Sequence, residues 1–185
     1  MAQGALVYVM GASGAGKSRV IDEARRRIDG AFPVLFAHRY VTRRAGAGAG
    51  NDVALSAGEF GLRQRHNLFV YDWEAYGLRY GIGIEIEAWR QAGLAVVIDG
   101  SRAHFATIAA QSGILPVLVT APLDLRHARL AERGRDDQTA IAARLQRGED
   151  YTPKHPDLVT IENTDALQTA GKALVKLLAR VTAAR

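Results

Sequence analysis

Residues 11–18 read Gly-Ala-Ser-Gly-Ala-Gly-Lys-Ser, and this octet constrains the chain more than any other segment. It satisfies the pattern G-x-x-x-x-G-K-[ST] at every fixed position. A β-rich apolar run, Leu6-Val-Tyr-Val-Met10, precedes it. A helical pattern from about Lys17 to Ile28 follows, with Val20, Ile21, Ala24 and Ile28 at helical spacing. Strand, glycine turn and helix in that order point successive backbone N–H groups into a phosphate-sized nest and add the positive end of a helix dipole. Lys17 then reaches the β- and γ-phosphates of ATP, and the Ser18 hydroxyl ligates Mg²⁺. Gly11, Ala12, Ser13, Gly14, Ala15, Gly16, Lys17 and Ser18 are thus the expected ATP-binding residues, with Lys17 also catalytic and Ser18 a metal ligand.

The rest of the chain alternates between strand and helix patterns. Pro33–Ala37, Leu68–Tyr71, Tyr80–Ile84, Leu94–Ile98, Ile114–Thr120 and Leu158–Ile161 read as strands. Ile86–Ala92, Leu123–Glu132, Ala140–Arg147 and Ala166–Val181 read as helices. Ser56-Ala-Gly-Glu59 fits a capping box that opens a helix through about Arg65. Such alternation predicts an α/β fold, a three-layer sandwich around a parallel sheet. The chain shows no internal repeat and no linker between two domains, so 185 residues form one domain. The run Ala-Gly-Ala-Gly-Ala-Gly at 45–50 predicts a mobile surface loop.

Composition narrows the class further. There is no cysteine, which excludes disulfides and thiolate metal sites and makes a cytoplasmic home the default expectation. Ala5–Met10 is too short for a signal peptide or a membrane span. The five histidines show no metal-ligand spacing. The net charge of +5 is carried mostly by arginine. Those arginines are scattered and interleave with no aromatic-basic motif, which favours phosphate-rich small molecules over nucleic acid.

Asp99 ends the clearest buried strand, at the edge where open α/β sheets bind ligands. A carboxylate there could hold Mg²⁺ through water, accept a proton from an attacking hydroxyl, or cap the following helix. Arg133 and Arg135 flank Gly134 in a polar segment of the kind that small P-loop kinases close over ATP, and Arg144 and Arg147 share one helix face. Lys17, Arg133, Arg135, Arg144 and Asp99 are the expected catalytic residues.

With those residues placed, the chain resembles the guanylate kinase group of P-loop kinases. More closely it resembles the ribose 1,5-bisphosphate phosphokinases of bacterial phosphonate breakdown. The specific segments are His38-Arg-Tyr-Val-Thr-Arg43 and Gly100-Ser-Arg-Ala-His104, supported by Gly77–Gly83 and Tyr151-Thr-Pro153. The resemblance implies a core of about 1–37 and 93–185, an acceptor-binding insertion of about 38–92 and a lid of about 133–139. It implies an acceptor held by Arg39, Arg43, Tyr80 and Arg102. Guanine-reading positions of the group are replaced here, by Ile82 after Tyr80-Gly81 and by Tyr71 near the glutamate position. A site that reads a base by hydrogen bonds cannot spare those partners. The implied reaction is phosphorylation of ribose 1,5-bisphosphate by ATP·Mg²⁺ to 5-phosphoribosyl 1-diphosphate. The alternative is a guanylate or other nucleoside monophosphate kinase.

Overall fold

The computed structural model describes residues 3–43, 51–132 and 152–183. The expected loop at 45–50, the lid at 133–139 and the helix at Ala140–Arg147 lie outside the described residues. So do Arg133, Arg135, Arg144 and Arg147.

Five strands form a wholly parallel sheet: β1 (Leu6–Gly11), β2 (Val34–Phe36), β7 (Ala95–Asp99), β8 (Ile114–Thr120) and β9 (Val159–Glu162), in the order β2-β7-β1-β8-β9. Because both faces are covered, β1, β7 and β8 read as nearly continuous apolar runs, whereas the edge strand β9, Val-Thr-Ile-Glu, alternates. Side chains nevertheless point to opposite faces in turn. Val7 and Val9 of β1 join Val97, Val117 and Val119 in one core cluster. Helices α1 (Lys17–Ile28) and α6 (Leu167–Ala183) close that cluster with Val20, Ile21, Ala24, Leu174 and Leu178. Leu6, Tyr8 and Met10 face the other way, against Val96, Ile98, Phe105, Ile108 and Ile86. Those residues bring in α3 (Glu85–Gln91) and α4 (Arg102–Ile108). Helix α5 (Leu123–Glu132) follows β8.

A second sheet was not foreseen as a unit. Its order is β4-β3-β6-β5, from β3 (Arg39–Thr42), β4 (Asp52–Leu55), β5 (Phe69–Ala75) and β6 (Leu78–Gly83). It is mixed: β3 runs parallel to β4 and antiparallel to β6, and β5 is antiparallel to β6. Strands β3 and β4 escaped the sequence reading because each has only four residues and opens on a charged one. Their pairing sets Arg39 opposite Asp52. Helix α2 (Ala57–Arg65) leads from β4 to β5. Its cap is half of the expected box: Ser56 Oγ accepts from the Glu59 N–H at 3.1 Å, but the Glu59 carboxylate accepts from Arg63 at 2.8 Å.

An aromatic column ties the two sheets together. The His104 ring lies against Tyr8 (centroids 6.1 Å apart) and Trp73 (5.1 Å), and Trp73 stacks on Tyr80 at 5.6 Å and 11°. Arg39 sits over the far face of the column, 5.2 Å from the Tyr80 ring centre. His104 Nδ1 lies 2.9 Å from the Tyr8 hydroxyl. Burial pushes the His104 pKa below its ordinary 6.5, and the charge of Asp72 opposes this only in part. The unfolded chain therefore takes up this proton more readily than the folded one. The stability due to the neutral ring is complete above pH 6.5 and is lost as pH falls through the lower folded value. Cooling of the melting temperature between about pH 7.5 and pH 5.5 is expected to be steeper for the wild type than for His104→Phe, which keeps the stacking and removes the titration. Identical slopes would take His104 out of the acid response. No helix among the described residues is long and apolar enough to cross a membrane.

Candidate active site

The loop between β1 and α1 has the shape the octet requires. Gly14 and Gly16 both take positive φ, 79° and 83°. A side chain at either place meets a neighbour as well: a Cβ on Gly14 would stand 2.6 Å from the Arg126 carbonyl, and one on Gly16 would strike the Asn163 amide. The turn is closed by Ala15 N–H donating to the Ala12 carbonyl at 3.1 Å. From below, Asn163 braces it. The buried Asn163 Nδ2 donates to the Ala15 carbonyl at 2.8 Å, while its own N–H donates to the Thr120 carbonyl at 2.8 Å. Arg129 in turn donates to the Asn163 carbonyl at 3.0 Å. Asn163 and Arg129 were not among the expected residues. The only sequence signal for Asn163 is an amide just past the last short strand.

Asp99 is the centre of the site. It ends β7 opposite Val9 of β1, which brings it beside the loop. One carboxylate oxygen pairs with the Lys17 ammonium. The other accepts from Ser18 Oγ at 2.7 Å and lies 3.2 Å from Arg39 Nη1. Three expected residues, Lys17, Ser18 and Asp99, thus meet in one cluster, with Arg39 at its border. The pairing of Ser18 Oγ with a carboxylate provides hard oxygen donors, which fits Mg²⁺ held by one or two protein oxygens plus phosphate and water. The capping alternative for Asp99 receives no support, since the residue at the N-cap of α4 is Ser101.

Arg39 and Arg43 converge on a second carboxylate. Arg39 grips Asp52 through Nε and Nη2, each 2.9 Å from an oxygen, and Arg43 Nη2 pairs with the same group. The Asp52 side chain is 5% exposed. The Arg43 Nε is buried and has no hydrogen-bond partner among the described residues. The Arg39 fork has the geometry of bidentate oxyanion recognition, and Arg43 adds a second cation to the same group. Asp52 was missed; the available signal was an isolated acid just after an arginine-rich segment and a glycine run. Tyr80 stands beneath Arg39, as noted above. Arg102 lies on another side, where it lines a cavity with Ala12 and Arg126.

The positions that replace the guanine-reading residues face inward. Ile82 is fully buried, and the buried Tyr71 donates its hydroxyl to Gln111 Oε1 at 3.0 Å. Neither is available to read a base edge.

No family model matches the chain. A ribose 1,5-bisphosphate phosphokinase PhnN from Desulfomicrobium baculatum is 46% identical over 178 residues, covering 96% of this chain and 95% of that protein. A protein of the same name from Enterobacter lignolyticus is 40% identical, covering 95% and 92%. Among solved structures, guanylate kinase from Anaplasma phagocytophilum aligns with a TM-score of 0.67 at 13% identity, over 98% of this chain and 87% of that one. That likeness shows the guanylate-kinase-like P-loop fold and nothing finer. Identity at this level over nearly the whole of both chains, with the loop, the Asp99 cluster and the arginine pair in place, decides the matter: the chain belongs to the ribose 1,5-bisphosphate phosphokinase family.

Proposed function

We propose that the chain transfers the γ-phosphoryl group of ATP to the 1-phosphate of ribose 1,5-bisphosphate, giving 5-phosphoribosyl 1-diphosphate and ADP. The observation that carries this reading is the Arg39–Arg43 pair beside the Asp99 cluster: two fork-shaped cations meet next to a nucleotide cradle, in a fold where the buried Ile82 and Tyr71 offer nothing to a base edge. A phosphorylated sugar needs such cations and needs no base pocket.

The chemistry follows from the charges. An oxygen of the acceptor's 1-phosphate forms a bond to the γ-phosphorus as the bond from that phosphorus to the β,γ-bridging oxygen breaks, and ADP leaves. The acceptor oxygen is already ionised near neutral pH, so no general base is required. The work is alignment and neutralisation of charge. Residues 11–16 would wrap the phosphates with backbone N–H groups. Lys17 would leave Asp99 for the β- and γ-phosphates. Arg39 and Arg43 would hold the acceptor, with Tyr80 as the wall beneath Arg39. Ser18 would ligate Mg²⁺, with Asp99 behind it; the ion would supply neutralisation of the phosphate charge.

The deciding experiment is a coupled assay of ADP release with ribose 1,5-bisphosphate, GMP, AMP and gluconate as acceptors. The sugar bisphosphate is expected to be used best. GMP turning over faster by orders of magnitude would overturn the acceptor assignment. Arg43→Ala is expected to raise the KM for the sugar about tenfold or more, with the KM for ATP changed by less than about twofold. Equal effects on both would remove Arg43 from the acceptor side.

A further inference from the structure

Beside the loop stands a second cationic wall that the steps above do not use. Arg126, in α5, is 7% exposed. One edge of its guanidinium is committed, with Nε donating to the Ser13 carbonyl at 3.0 Å. Its Nη2 is buried and has no hydrogen-bond partner among the described residues. Arg126 and Arg102 both line a cavity of about 130 Å³, together with Ala12, Thr120 and Thr152 among the described residues. The cavity lies at the carboxyl ends of β1 and β8, next to the first residues of the loop.

The physical chemistry of this place asks for an anion. A buried guanidinium N–H without a partner bears the full desolvation of that group. The second guanidinium adds to the strain: burial and the charge of Arg126 push the pKa of Arg102 below its ordinary value. A phosphate oxygen in the cavity would satisfy the orphaned Arg126 donor, and hydroxyls such as Thr120 and Thr152 suit its remaining oxygens. The tether from Nε to Ser13 fixes the fork relative to the loop, so that the guanidinium is set before any ligand arrives.

We propose that Arg126, with Arg102 opposite it, binds the phosphoryl group undergoing transfer, as a preformed anion site next to Ala12 and Ser13. The proposal rests on the phosphotransferase reading above and deepens it. The bland alternative is that Arg126 only props the loop through Ser13. The two differ in what a substitution does to ADP, because a prop acts on the whole loop whereas a site for the transferring group would serve only what lies beyond the β-phosphate.

The test is calorimetry with inorganic phosphate titrated into protein saturated with MgADP, so that phosphate occupies the place of the transferring group without any sugar present. The wild type is expected to bind it. Arg126→Met and Arg102→Met are each expected to weaken phosphate binding about tenfold or more, and Arg126→Lys less, with the affinity for MgADP changed by less than about twofold. In turnover, kcat is expected to fall about tenfold or more in Arg126→Met at an unchanged KM for ATP. No phosphate binding by the wild type, unchanged phosphate binding in both methionine variants, or a parallel loss of MgADP affinity would each overturn the proposal. Arg102→Met leaves the Ser13 tether in place and keeps the question answerable if Arg126→Met does not fold. Wild-type protein that binds phosphate through Arg126 yet does not use ribose 1,5-bisphosphate would overturn the acceptor assignment alone and leave this site standing.

Discussion

Lys17→Ala is expected to lower kcat by on the order of 10³-fold or more and to leave the protein folded. The side chain carries the one ammonium in the loop, and a phosphoryl group in transfer concentrates negative charge where that ammonium can reach. Removal of the lysine leaves its partner partly compensated: the carboxylate oxygen that it pairs with is buried and has no other partner among the described residues, while the second oxygen keeps both of its contacts. Asp99 keeps the Ser18 hydroxyl at 2.7 Å and the Arg39 guanidinium at 3.2 Å. The carboxylate therefore keeps its contacts on one oxygen only, and the loss of stability is expected to be about 1–3 kcal/mol, the cost of one buried acceptor left without its donor. Turnover by coupled ADP release, and a thermal melt of the same sample, check both halves. A variant that keeps most of its kcat, or one that fails to fold, would show that the lysine serves another purpose.

Asp52→Ala is expected to have the largest effect on stability of any single change at the site. It would leave Arg43 without its partner carboxylate and would take from Arg39 its bidentate one. Breaking a buried ion pair from one side costs about 3–5 kcal/mol, because a charge is left uncompensated. The lower end applies here, since Arg39 retains Asp99. A loss of about 3 kcal/mol corresponds to a drop of roughly 10 °C in melting temperature for a domain of this size. The kinetic consequence separates two roles for the residue. If Asp52 holds the two guanidinium groups parallel, the KM for the sugar rises about tenfold in Asp52→Ala. If Asp52 instead competes with the acceptor for those groups, the KM falls. Calorimetry of unfolding and initial-rate kinetics on the same preparation give both answers, and a fall in KM would overturn the positioning role.

Parts of the site differ in how well the sequence displays them. The elements of the parallel sheet were legible because strands buried on both faces write themselves as apolar runs, as in Leu94–Ile98 and Ile114–Thr120. Strands β3 and β4 were not, because four-residue strands that open on a charged residue look like loop. The aromatic and apolar replacements at Tyr71 and Ile82 showed in the sequence that a base pocket was missing. That both turn inward, one bonded to Gln111, required the packing. Arg39, Arg43 and Arg102 read alike in the sequence. In the fold the first two share Asp52, whereas Arg102 lines the cavity with Arg126.

The sequence by itself determined the phosphate cradle, since eight contiguous residues contain the whole instruction for the turn, and turn geometry is a local property of backbone dihedrals. It also determined the α/β class, because hydrophobic period and run length are local too. Only the tertiary structure decided what surrounds the cradle. Ser18 and Asp99 lie 81 positions apart, Asn163 and Ala15 148, and Arg126 and Ser13 113. Those encounters depend on the strand order β2-β7-β1-β8-β9, which sets β7 on one side of the loop and β8 on the other. Strand order is a property of the folded sheet as a whole, so no stretch of neighbouring residues states it.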